Sequence, residues 1–170
     1  MQTLPKEGYL EIVWNCIATL SHGRVVRHDK ARKEDSIQNR DRAFRLAFDY
    51  ALELLGDRPP LQGRKLTLID ARLAVRLSHF RCGPVARAAE RHLAALGIED
   101  VAFLYVGGHY VLRDGRSGLI HDLEAPCGCR TKQELPLWHR WEELADIPNS
   151  ALAEEVFEKY ACSWLSRRHS

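Results

Sequence analysis

The 170-residue sequence predicts an α+β fold, with helices packed on a small antiparallel sheet. Three observations carry that expectation. Apolar residues recur at three- and four-residue steps through several separate segments. Residues 101–106, Val-Ala-Phe-Leu-Tyr-Val, form a short apolar run of strand-forming residues. Asp114-Gly115-Arg-Ser-Gly118 then reads as a hairpin turn between two further strands, Tyr110-Val-Leu-Arg113 and Gly118-Leu-Ile-His-Asp-Leu123.

Taken in order, Tyr9, Ile12, Val13, Cys16, Ile17 and Leu20 make a helical stripe that ends near Ser21-His-Gly23, which places Cys16 in a core. Residues 24–36 are polar and read as a loop. A long helix is expected from about Ser36 to Leu55, with Phe44, Ala47, Phe48, Ala51 and Leu55 on one face and Gly56 as its stop. Residues 57–63 are a turn-rich connector. Residues 66–79 fit two patterns. Leu66-Thr-Leu-Ile69 could be a strand, but Ile69, Leu73, Leu77 and Phe80 suit a helix capped by Thr67 or Asp70, and helix is favoured.

The next helix runs from Cys82 to Gly97. Pro84 lacks an N–H and has φ preset for a first turn. Val85, Ala88, Ala89, His92, Leu93 and Leu96 give one apolar face, and Gly97 suits the left-handed closing position. After the strands, residues 124–132 form a loop. Pro136 begins a short helix through Leu144. Asn149 or Ser150 caps a last one, with Ala153, Phe157, Tyr160, Ala161 and Trp164 inward. With no repeat or linker, one domain over 1–170 is expected, its candidate catalytic unit in 66–126 and helical additions in 1–56 and 136–166.

Composition bounds the function. A hydrophobic fraction of 45% and a charged fraction of 28% are those of an ordinary globular chain. No stretch approaches the ~20 apolar residues of a membrane span. The N-terminus lacks the basic start and apolar centre of a signal peptide, so a cytoplasmic protein is expected, although signal-independent export leaves no such mark. Five cysteines, an odd number without regular spacing, suit reduced thiols. Net charge is +2, yet residues 22–45 carry Arg24, Arg27, Lys30, Arg32, Lys33, Arg40, Arg42 and Arg45. Such a run is usually a solvated face; the alternative is a surface for an acidic partner. Without interleaved aromatics or a recognisable signature, nucleic acid ranks low. Oligomeric state is not indicated.

The chemistry centres on Cys82, a thiol at a helix start. His109 follows twenty-seven positions later in Gly107-Gly-His-Tyr-Val-Leu, and Asp122 thirteen after that. A helix N-terminus and an imidazolium both favour the reactive thiolate, and a carboxylate holds the imidazole in the useful tautomer. Across adjacent antiparallel strands His109 and Asp122 can meet. His121 competes with Asp122, but neighbours on a strand point to opposite faces, so only one can face the site. The bland alternative makes Cys82 a small buried hydrophobe, His109 a hydrogen-bonded strand residue and Asp122 a turn carboxylate. A second candidate is Cys127-Gly-Cys129, which with His109, His121 or His139 could hold zinc. One intervening residue is too tight for the usual knuckle, so neither metal nor cofactor is expected. These thiols could instead form a disulfide with Cys82.

The motifs Cys82 at a helix start, Leu96-Gly97-Ile98, Gly108-His109-Tyr-Val-Leu and Asp122 resemble the papain-like superfamily, and within it the transglutaminase-like cysteine peptidases of bacteria. The Cys82-Gly-Pro opening is also similar to that of double-glycine leader peptidases, whose Cys-to-His separation is longer. The compact spacing resembles small proteases that process lasso-peptide precursors. The resemblance covers roughly residues 78–126. It implies a papain-like or transglutaminase-like core and acyl transfer from an amide by a Cys82–His109–Asp122 triad. Substrates would be a peptide, protein or peptidoglycan peptide, which also suits a secreted effector. It further implies a side-chain oxyanion donor upstream of the cysteine, for which Gln62 is a candidate. The rival expectations are a non-catalytic binding module on the same fold, and a basic protein that associates through Arg24, Arg27, Arg32 and Lys33.

Overall fold

The computed structural model describes residues 40–169. The expected helix at 9–20, the loop at 24–36 and most of the basic run lie outside these residues. The described chain is α+β, with helices around a three-stranded antiparallel sheet. In order it comprises α1 (Arg40–Leu55), α2 (Leu68–Phe80), α3 (Cys82–Ala95), β1 (Val101–Val106), β2 (His109–Asp114), β3 (Ile120–His121), a 3₁₀ turn (Lys132–Glu134), α4 (Pro136–Ala145) and α5 (Ser150–His169). No helix among the described residues is long and apolar enough to cross a membrane.

α1 buries Phe44, Ala47, Phe48 and Ala51 as its periodicity requires, and packs mainly on α3. α1 stops before Gly56, as expected, but the left-handed residue is the one that follows. Asp57 takes that conformation at φ 49°, while a Cβ on Gly56 would press on the Leu52 carbonyl at 2.7 Å. The ambiguous segment is helical. Thr67 and Asp70 form a reciprocal capping box at the start of α2. Its buried face is nonetheless rotated from the expected stripe. Asp70, Ala71, Ala74, Val75 and Ser78 go in, while Ile69 and Phe80 are exposed at 54% and 65%. α2 meets α5 through Arg72, Arg76 and Phe80, which pair with Glu158, Glu154 and Phe157, while its alanine face turns into the main core.

α3 buries Val85, Ala88, Ala89, His92 and Leu93, and Gly97 closes it at φ 87°. The sheet alternates: Leu112 and Leu123 join the main core with Phe44, Phe48, Leu52, Leu93 and Trp164. Val111 and Ile120 form a second cluster with Leu135 on the other face. α5 completes the core with Phe157, Ala161 and Trp164, and Asn149 accepts the Leu152 N–H at its start.

Candidate active site

Arg81 is at once the C-cap of α2 and the N-cap of α3 (φ −136°, ψ 38°), so the chain turns sharply just before Cys82. No side chain caps α3. Its first N–H groups, and the positive end of its dipole, are therefore left beside the thiol. Cys82 is reduced and partly exposed.

His109 is positioned by a two-residue turn. Val106 pairs with His109, and between them Gly107 and Gly108 adopt φ of 58° and 102°. Turns with both central residues at positive φ match strand twist and strongly prefer glycine. The turn also lies under α4, where a Cβ on Gly107 would come within 2.6 Å of the Trp138 ring. Asp122 follows β3 directly. Continuing the Leu112–His121 register by one residue sets it opposite Val111, on the same face as His109 and diagonal to it. The diagonal is bridged: His109 Nε2 lies 2.8 Å from Asp122 Oδ2, with both side chains buried. Asp122 Oδ1 accepts the N–H groups of Glu124 and Ala125 at 3.0 and 2.7 Å. In this contact the carboxylate oxygen accepts and His109 Nε2–H donates.

The other imidazole nitrogen, Nδ1, is buried without an aligned hydrogen-bond partner. Cys82 lines the same small space as His109 and interacts with the ring. Burial disfavours the thiolate, but His109 and the Tyr110 and Gly83 N–H groups outweigh it and hold Cys82 below the ordinary thiol pKa. Burial also opposes the imidazolium, yet Asp122 and Cys82 push His109 up to about 9. The two groups favour one another's charged forms.

His121 points the other way. It stacks on Phe44 with centroids 3.9 Å apart, and its Nδ1 meets the Pro126 carbonyl at 2.8 Å. Alternation thus gives Asp122, not its neighbour, to the site.

Further layers were not marked out by the sequence. The Trp141 ring stands edge-on to His109, centroids 6.2 Å apart at 80°. Behind Asp122, Glu124 accepts two hydrogen bonds from Arg140, at 2.6 and 2.8 Å, and neither side chain reaches solvent. Arg140 Nε also points to His79 Nδ1 at 3.3 Å. Burial, with the Arg140 and His109 charges, lowers His79 to about 4, so its ring is neutral. A legible signal existed for Arg140: it shares the apolar stripe of α4 with Leu137, Trp141 and Leu144, where a cation must be buried.

The space between Phe48, Ser78, Cys82, His109, Asp122 and Leu123 is too tight to hold a water molecule. Gln62 does not approach Cys82 across it; Gln62 is exposed and lines a separate cleft. Cys127 and Cys129 are free thiols that line a further cleft. Burial, reinforced by Asp122 and Glu134, pushes Cys129 up to about 11, which makes it a poor nucleophile near neutrality. Among the described residues no group of three His, Cys, Asp or Glu is placed to hold a metal. Comparison with protein-family models, curated proteins and solved structures returns no significant match.

Proposed function

We propose that the protein is a cysteine-dependent acyl-transfer enzyme of papain-like or transglutaminase-like type, acting on an amide of a peptide, protein or peptidoglycan peptide. The observation that carries the reading is the buried His109–Asp122 hydrogen bond, with His109 lining one small space together with a thiol at an uncapped helix start. In this mechanism the Cys82 proton resides on His109, and the thiolate adds to the amide carbonyl. N–H groups of the first turn of α3 receive the oxyanion. The tetrahedral species collapses, the C–N bond breaks, and His109 gives its Nδ1 proton to the leaving amine. Water or an acceptor amine then adds to the thioester, losing a proton to His109; the C–S bond breaks, the acyl product leaves, and the thiolate–imidazolium pair is restored. Asp122 keeps the imidazole oriented throughout. Hydrolysis, deamidation and transamidation share these steps and differ in the acceptor.

The tight space beside the sulfur favours one competing reading, a binding module on the same architecture that does not turn over. Labelling with iodoacetamide at neutral pH, with the modified residue located by mass spectrometry, separates the two. The enzyme reading expects Cys82 to label first among the free thiols, and to slow at least tenfold in His109→Ala. Preferential labelling of Cys127 or Cys162, both exposed, would count against it.

A further inference from the structure

Away from Cys82, the described residues enclose a cavity of about 470 Å³ between α1, the 61–66 connector and the end of α5. That volume suits a small-molecule ligand. Its wall is cationic: Arg42, Arg45, Arg64, Lys65 and Arg168 line it, against one carboxylate, Asp49, among the described residues. The charges are unevenly answered. Asp49 is occupied, because Arg168 Nη2 donates to both its oxygens at 2.7 Å. Arg64 is held by Asp70, which Arg58 shares. Arg45 and Lys65 are exposed, and no carboxylate among the described residues lies within hydrogen-bond distance of either.

Arg168 is fixed in that wall. The Arg168 side chain is only 9% exposed, its guanidinium lies 5.3 Å from the Trp164 ring centroid, and its Nε is buried with no acceptor. That buried Nε lies out of reach of a solute, so Arg168 is a fixed part of the wall, and the exposed Arg45 and Lys65 are the groups a ligand can meet. Planar guanidinium forks with a point-charge lysine are the usual means of holding phosphate oxygens.

We propose that this cleft binds a small phosphate-bearing ligand through Arg45 and Lys65, beside the fixed charge of Arg168. The site is separate from Cys82 and stands whether or not Cys82 is catalytic.

Isothermal titration of the full chain with inorganic pyrophosphate, at about 150 mM salt to screen loose surface attraction, tests it. Saturable one-site binding is expected, unchanged in Cys82→Ala and weakened at least tenfold in Arg45→Ala/Lys65→Ala. Both replaced side chains are exposed, and circular dichroism checks that the double variant is folded. An ADP arm identifies the ligand: tighter binding than pyrophosphate assigns a nucleoside diphosphate, and equal binding assigns the phosphate group alone. Absence of saturation, equal affinity in the double variant, or equal binding of sulfate would each overturn the proposal.

Discussion

At the scale of single residues, the site depends on which protons three side chains hold. His109 is raised to about 9 because Asp122 and Cys82 outweigh its burial. Its folded pKa exceeds the ordinary value of about 6.5. The stability it contributes is therefore fully present below about 6.5 and is lost as pH rises through about 9. NMR titration of the ring should show a midpoint near 9 in the wild type, falling by at least one pH unit in Asp122→Asn. An unchanged midpoint in that variant would mean that the carboxylate does not hold the proton. These three residues were legible in the sequence because each has a local marker: Pro84 fixes a helix start at Cys82, paired glycines precede His109, and strand alternation distinguishes Asp122 from His121. Glu124 and Arg140 were not legible as a pair. They lie sixteen positions apart, on a loop and on the next helix, and only tertiary packing joins them.

At the scale of elements, local capping and close approach decide more than apolar periodicity. α2 is a helix because Thr67 and Asp70 satisfy each other's backbone N–H groups, and removing that exchange by Thr67→Ala should cost about 1 kcal/mol in urea unfolding. Ile69 and Phe80 fit the period, yet the face that enters the main core is that of Ala71, Ala74 and Val75, with Phe80 left to stack on Phe157 of α5. Periodicity identifies a helix, and tertiary packing selects its face. The Gly107-Gly108 turn joins element to site. Gly107→Ala would place a Cβ at positive φ and against Trp138, at a cost of about 1–3 kcal/mol. It should also slow Cys82 alkylation severalfold, because the same turn aims His109; destabilisation with unchanged alkylation would separate the turn from the site.

At the scale of the whole molecule, the buried Glu124–Arg140 pair ties the loop that carries Asp122 to α4, whose Trp141 stands against His109. Arg140→Met leaves a buried carboxylate unpaired and should lower stability by about 3–5 kcal/mol. Glu124→Leu/Arg140→Met removes both charges and should recover most of that loss, as chemical denaturation would reveal. The α+β class was legible because the two periods, near 3.6 and 2, occupy separate stretches of chain. The association of α4 and α5 with the site was not, since it rests on contacts between distant segments. What these layers produce is one thiol with an imidazolium beside it. Thiolate absorbance followed against pH, as the difference between wild type and Cys82→Ala, tests this most directly. A Cys82 midpoint below that of the other free thiols, moving upward in His109→Ala, is expected. A midpoint at or above theirs that ignores the His109 substitution would contradict it.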